Sequence, residues 1–151
     1  MIDTQLDKIF KLNESYDPYI IAKGHDIDIL NCPLDDNTFG LTVRYNRCST
    51  ILLNDYIHEN LKEFVLCHEL GHSFMHKHAS TPFMRSTGAP SRILKIESEA
   101  HKFAFALLKR NYEELDYMTK EQIVNYFQLP SWMERYIWLI GVNLYGEYSK
   151  N

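Results

Sequence analysis

The chain has 151 residues, of which 45% are hydrophobic, and its formal net charge is −4. A chain of this length can bury one hydrophobic core, and the acidic balance argues against direct nucleic-acid binding, which needs a clustered basic surface. The sequence contains no apolar run long enough to span a membrane and no N-terminal signal pattern. We therefore expect a cytoplasmic protein of one domain, without a membrane partner.

The three cysteines, Cys32, Cys48 and Cys67, form no CxxC pair. Their odd number favours free thiols in a reducing compartment over a disulfide framework. Zinc ligation by Cys32 or Cys48 is the less favoured alternative, because such thiols are usually buried as small apolar groups.

The first half of the chain predicts helices followed by a small sheet. Residues 1–26 have helical apolar spacing that is interrupted near Pro18. Three short β-type runs follow at residues 27–30, 41–45 and 50–53, with turn residues between them. They predict a mostly antiparallel sheet of three strands, whose last strand leads directly into a helix.

That helix, predicted over residues 57–76, contains the sequence CHELGH at residues 67–72. Positions i and i+4 share one helix face, so His68 and His72 can both present a ring nitrogen to one tetrahedral metal ion. Glu69 stands beside them and can accept a proton from water that the metal activates, which is the HExxH metallopeptidase arrangement. The five-residue pattern can also arise by coincidence, so its context must decide.

Gly71 lies inside the motif helix, where glycine costs about 1 kcal/mol relative to alanine. Its presence suggests that another backbone or the metal site approaches closely at this point. A glycine that the helix merely tolerates is the alternative.

A zinc site needs a third protein ligand, and two nearby histidines are weak candidates for it. His78 has the spacing of the HExxHxxGxxH pattern, but Met75 replaces the glycine that would allow the chain to reverse. His76 lies two turns from His68. We expect outer positions around the site for both residues.

A second predicted helix, over residues 93–108, offers a better third ligand. Glu97 falls inside its apolar arc, where a carboxylate without a partner would be expensive, so Glu97 should be bound to metal or paired with a basic residue. Glu99 at the margin of the arc and His101 one turn beyond Glu97 are candidates for supporting positions. The arc is formed by Ile93, Ile96, Ala100, Phe103, Ala104 and Leu107.

The C-terminal third is predicted to be helical. Thr119 and Gln122 have the spacing of a capping box, Pro130 marks a break, and a further helix is expected over residues 131–140. Two helices joined by a short turn imitate a helix-turn-helix, but acidic residues offset its few basic ones, so DNA recognition is the weaker hypothesis.

These motifs together resemble the ImmA/IrrE family of metallopeptidases, closest to the ImmA-type proteins of phages and mobile elements. The resemblance rests on the strand at 51–54, on HELGH at 68–72 with His76 following, and on the pattern ExEAxxFAxxLL at 97–108. It implies an α+β, zincin-like fold of the gluzincin type, with a core at 1–118 and a C-terminal helical extension at 119–151. It also implies that Glu97 completes the zinc site.

From the residues and the resemblance we expect a Zn²⁺ endopeptidase in which His68, His72 and Glu97 hold the metal and Glu69 is the general base. An extended substrate would pair with an edge strand, predicted at residues 50–53. The resemblance implies an anti-repressor that cleaves or inactivates a helix-turn-helix repressor. The alternative is a zinc-containing regulator that binds the repressor or another partner protein without cutting it.

Overall fold

A four-stranded sheet lies beside two long helices in the computed structural model, which describes residues 1–77, 83–84, 95–137, 140–142 and 148–150. None of the helices within these ranges is long and apolar enough to cross a bilayer. The two long helices pack against each other, and they agree with the helices predicted around the motif and around Glu97. The helices are α1 (Ile2–Asn13), α2 (Pro18–Gly24), α3 (Glu59–Met75), α4 (Lys95–Asn111) and α5 (Lys120–Tyr126).

The sheet contains the three predicted strands and one more. Alternate residues of β3, Ser49, Ile51 and Leu53, are buried on the face that the helices cover. The additional strand is two residues long and lies between the two predicted helices at 57–76 and 93–108. The strands are β1 (Ile27–Cys32), β2 (Thr38–Tyr45), β3 (Cys48–Asn54) and β4 (Phe83–Met84).

The strand order is β1-β3-β2-β4, which places β3 inside the sheet. β3 pairs with β1 in parallel and with β2 in the antiparallel direction. The prediction that residues 50–53 form an edge strand is therefore wrong, because both sides of β3 already carry strand neighbours. Three short strands in succession suggest a simple meander, and nothing in their composition shows that β1 crosses over to the far side of β3.

β2 instead offers an edge among the described residues, on the side away from β3 and beyond the two residues of the outermost strand β4. Within the described ranges its outer side pairs only with β4, at Thr38 and Gly40. Residues 41–45 have no strand neighbour there among the described residues. The strand then turns into β3 through Asn46 and Arg47, both with positive φ, which is the geometry of a tight two-residue hairpin.

β2 runs along α3 in register. A Cβ on Gly40 would lie 2.6 Å from Val65 Cγ1, Thr42 Oγ1 donates to Glu69 Oε2, and Arg44 Nη1 donates to the carbonyl oxygen of Lys77. Two strand residues advance about 6.6–6.8 Å and four helix residues about 6.0 Å, so Gly40 and Thr42 meet successive turns of α3. The long side chain of Arg44 reaches further, to a carbonyl beyond the end of the helix. This strand-to-helix register places Thr42 opposite Glu69.

Gly71 marks the closest approach of α3 to α4. A Cβ at Gly71 would lie 3.0 Å from Cδ1 of Phe103 and 3.2 Å from its Cβ, and Phe103 is fully buried. The close neighbour that the sequence suggested is thus a side chain, neither a backbone nor the metal site.

We expect Gly71→Ala to lower the free energy of unfolding by about 1 kcal/mol, because overpacking of about 1–3 kcal/mol exceeds the gain in helix propensity of about 1 kcal/mol. Urea unfolding tests this, and an unchanged or higher midpoint would contradict it.

The C-terminal part matches the prediction only at its start. Thr119 and Gln122 form the predicted capping box at the start of α5. The helix expected over residues 131–140 is a single 3-10 helix, Ser131–Tyr136, and Ile137 is already extended. The end of the predicted helical extension instead forms two antiparallel strands, β5 (Ile140–Val142) and β6 (Tyr148–Lys150). Aromatic and β-branched residues after Pro130 favour extended backbone over helix, which explains this difference.

One hydrophobic core joins the C-terminal part to the rest of the chain. The Phe64 ring of α3 lies 6.4 Å from the Phe127 ring just beyond α5, and 4.8 Å from Phe105 of α4. The C-terminal members of this core are Ile123, Val124, Phe127, Leu129, Met133, Tyr136 and Ile137.

Candidate metal centre

The motif helix presents two imidazoles on the face that meets α4. His68 and His72 are 0% and 3% exposed, and their Nε2 atoms lie 3.1 Å apart. α3 begins after His58, whose side chain accepts a hydrogen bond from the backbone of Asn60. The helix continues unbroken through the motif, so the four-residue spacing places both rings one turn apart on one face.

Glu97 completes a cluster of three from the first turn of α4. Its Oε1 lies 2.8 Å from His72 Nε2, and its Oε2 lies 3.4 Å from His68 Nε2. Within the described parts of the chain, these three residues are the one group of three or more His, Cys, Asp or Glu side chains arranged so that a metal ion could be held. The position that the apolar arc of α4 indicated is therefore occupied by a carboxylate that faces both imidazoles.

The geometry of this cluster fits a small divalent ion. Two ligands at about 2.0–2.1 Å from a tetrahedral zinc are about 3.3 Å apart, and the three observed separations of 3.1, 2.8 and 3.4 Å lie close to that value. Burial lowers the pKa of His68 to about 4, against the opposing effect of Glu97. His68 is therefore neutral at neutral pH, which is the protonation state that a metal ligand requires.

Glu69 lies on the adjacent face of α3, against the sheet. The residue is 1% exposed, and its Oε2 accepts a hydrogen bond of 2.8 Å from Thr42 of β2. Its other oxygen, Oε1, is buried and has no hydrogen-bond partner among the described residues. Burial raises the pKa of Glu69 to about 7, although the bond from Thr42 acts in the opposite direction. A buried carboxylate with a pKa near neutrality is suited to gain and lose a proton during a reaction.

Two of the residues predicted for outer positions line up behind His72. His76 Nδ1 lies 3.1 Å from His72 Nδ1, and His76 Nε2 lies 3.6 Å from Glu99 Oε2. This places His76 against the outer nitrogen of His72, away from the cluster, and explains why His76 is a poor third ligand. The rival candidate His78 lies outside the described residues.

His101 stands behind His68 on the other side. The two rings are 4.7 Å apart, and His101 is 5% exposed. Its ring also lies 5.1 Å from Tyr136, which the 3-10 helix carries into the core. Burial lowers the pKa of His101 well below its usual value, so this imidazole is neutral at neutral pH.

Thr42 is the residue at this site that the sequence did not single out. It stands in the middle of a strand of alternating residues, where a threonine is ordinary. Only the strand-to-helix register brings it opposite Glu69, 27 positions further along the chain.

Comparison with known proteins places the cluster inside a recognised family domain. The IrrE N-terminal-like domain family, Peptidase M78, matches residues 22–136. "Uncharacterized immunity region protein 2" of Bacillus phage phi105 is 29% identical over 121 residues, which cover 80% of this chain and 76% of that protein. "Metallopeptidase ImmA" of Bacillus subtilis strain 168 is 40% identical over 91 residues, which cover 54% of this chain and 52% of that protein. No solved structure matches.

Proposed function

Because the chain belongs to the IrrE N-terminal-like, Peptidase M78 family, we propose that it is a zinc-dependent endopeptidase of the HExxH type. The observation that carries the proposal is the convergence of three ligand atoms beside a buried carboxylate that has one oxygen without a partner among the described residues. A long motif helix, a second ligand helix and an adjacent sheet with an open edge support a zincin-like fold of the gluzincin type.

In this proposal His68, His72 and Glu97 hold the zinc ion. A zinc ion held there would polarise the scissile carbonyl and lower the pKa of water to about 7. Glu69 accepts the proton of the attacking water on its unpartnered Oε1 and returns it to the leaving amine. Thr42 holds the opposite oxygen, so the carboxylate keeps one orientation through both transfers.

His76 and Glu99 act as positioning residues for His72. When His72 offers its Nε2 to a metal, its Nδ1 carries the proton and donates to His76 Nδ1. The Glu99 carboxylate lies 3.6 Å from His76 Nε2, which makes no hydrogen bond among the described residues, so Glu99 acts on His76 only through its charge. A hydrogen bond to the outer nitrogen of a ligating histidine fixes its tautomer and orientation.

The group that stabilises the developing oxyanion is best sought at His101 and Tyr136. His101 lies beside His68 and Tyr136 lies beside His101, whereas Tyr112 donates to Glu63 on another face of α3. Tyr126 is 46% exposed and packs against Phe127.

The outer edge of β2 is the place for an extended substrate. Residues 41–45 have no strand neighbour on that side among the described residues, and Thr42 within this stretch contacts Glu69. Strand addition here would satisfy the backbone of the peptide and bring a scissile bond next to the three ligands. The proposed substrate edge is therefore residues 41–45 of β2, and not residues 50–53.

We infer that the substrate is a helix-turn-helix repressor and that the protein acts as an anti-repressor in the cytoplasm. The names of the two relatives, an immunity region protein and ImmA, support this choice. The test is incubation of the zinc-loaded protein with the purified repressor encoded beside its gene, followed by mass spectrometry. We expect one discrete cleavage that a chelator stops and added zinc restores. Absence of cleavage with the metal bound would contradict the proposal.

We expect Thr42→Val to lower kcat on this substrate by about tenfold and to leave KM nearly unchanged. Valine has the shape of threonine but cannot donate to Glu69, and a hydrogen bond to a charged group contributes about 1.5–3 kcal/mol. Thr42→Ser keeps the hydroxyl and should retain most of the activity. Steady-state kinetics measure kcat and KM for both variants. If the serine variant is as slow as the valine variant, the hydroxyl group of Thr42 does not position Glu69.

A further inference from the structure

A cleft of about 370 Å³ opens beside the C-terminal end of α3. Its volume lies within the range of about 300–1,000 Å³ that is usual for ligand sites. Leu12 of α1, which is exposed, and Phe74 of α3, which is partly buried, supply an apolar surface in it. The cleft can therefore bury an apolar side chain.

Basic residues dominate the charged lining of this cleft. Lys8, Arg44, Arg47 and Lys77 contribute four positive charges, against one negative charge from Asp26. The four come from three separate parts of a chain whose net charge is −4, so no basic run marks them in the sequence. The fold thus builds a local positive surface on an acidic protein, and such a surface attracts anionic partners.

Arg44 is held in a fixed orientation within this lining. Its Nε donates to Ser49 Oγ over 3.3 Å, and its Nη1 donates to the carbonyl oxygen of Lys77. A guanidinium carries five N–H groups, so others remain for an incoming carboxylate. Holding the arginine in advance reduces the entropy that a ligand must overcome on binding.

The cleft lies next to the proposed substrate edge, at the end of β2 that contains Arg44. Arg44 follows Thr42 by two residues on β2, so the two side chains share one face of the strand. Ser73, which also lines the cleft, lies one helical turn beyond Glu69. One turn is about 6 Å, which an extended peptide covers in about two residues.

From these observations we propose that the cleft binds an acidic segment of the protein substrate, a short distance from the bond that is cut. An apolar side chain of that segment packs against Leu12 and Phe74, and its carboxylates pair with the basic lining. The inference rests on the proposed peptidase function and adds the chemistry by which the substrate is selected. Continuity with the edge strand favours a peptide over a free small anion.

The test uses the full-length Glu69→Gln protein, loaded with zinc, so that the probe is not cut. The probe is a fluorescein-labelled peptide of aspartate and glutamate residues around one leucine, and fluorescence anisotropy measures its binding. We expect Lys8→Glu combined with Arg47→Glu to weaken binding by about tenfold, because two attractions become two repulsions. The matched control, Lys120→Glu combined with Arg135→Glu, makes the same change in net charge away from the cleft and should alter binding less than about twofold.

Three results would overturn the inference. The first is equal weakening by both double variants, which would mean that only net charge matters. The second is equal binding of a probe in which asparagine and glutamine replace the acidic residues. The third is complete displacement of the probe by citrate or by a single-stranded oligonucleotide at equal concentration, which would assign the cleft to another anion.

Failure here can be told apart from failure of the peptidase proposal. The anisotropy experiment measures binding alone, while cleavage of the repressor by the zinc-loaded wild-type protein is measured separately. Cleavage without specific probe binding would discard the acidic-segment site and leave the peptidase proposal in place. Specific probe binding without cleavage would count against the peptidase proposal.

Discussion

Glu97→Ala is expected to remove most of the bound zinc from the purified protein. The substitution deletes one of three ligand atoms and leaves only His68 and His72. Two ligands are one fewer than the three that a catalytic zinc site uses. Loss of a supporting partner alone costs about 10–100-fold in metal affinity, so loss of the ligand itself should exceed that range. Elemental analysis of the dialysed protein, and competition with a chromogenic chelator, measure the effect.

The matched control for this experiment is Glu99→Ala. It removes an equally charged side chain from the same turn of α4, but Glu99 contacts His76 and lies outside the cluster. We expect this variant to keep its zinc and to lose no more affinity than a supporting residue would cost. His78→Ala provides the second control, because its spacing in the sequence made it a rival ligand. Full zinc content in Glu97→Ala would overturn the assignment of the third ligand.

The second large effect is expected from Glu69→Gln, which should lower the cleavage rate by about 10²–10⁴-fold. Glutamine has nearly the same shape, and its amide oxygen can still accept the hydrogen bond from Thr42. It cannot accept a proton from water at neutral pH. Zinc content should be unchanged, since Glu69 is not part of the ligand cluster.

This variant also separates the peptidase from a regulator that only binds. The repressor is co-expressed with the wild-type protein or with the Glu69→Gln variant, and its size and its repression are followed together. The peptidase proposal requires a shortened repressor and relief of repression with the wild type only. Equal relief by both proteins, with an intact repressor in each case, would establish the regulator that binds without cutting.

The parts of the site that depend on local spacing could be predicted from the sequence. His68, Glu69 and His72 are set by the pitch of one helix, and Glu97 stood out because a carboxylate in an apolar arc needs a partner. The family resemblance pointed to the same residue. Their convergence in the structure reflects packing between two amphipathic helices, whose buried faces both patterns already showed.

The parts that depend on topology could not be predicted in this way. Whether β3 is an edge or an interior strand is decided by the crossover of β1, which leaves no local signal in the sequence. The pairing of Thr42 with Glu69 and the gathering of Lys8, Arg44 and Arg47 around one cleft depend on the same arrangement. The helix predicted after Pro130 was wrong for another reason, because its apolar spacing suggested a helix while its aromatic and β-branched residues favour extended backbone.

The match between β2 and α3 also limits how this protein can change in length. Deleting one residue of β2 ahead of Thr42 would bring Val43 opposite Glu69 and Tyr45 to the position of Arg44, because neighbouring strand residues face opposite sides. The hydrogen bond that orients Glu69 and the basic lining of the cleft would then be lost in a single step. Insertions or deletions at the turn of Asn46 and Arg47 do not change which residues of β2 face α3. We therefore expect length differences among natural relatives to occur at the hairpin tip and not within the strand.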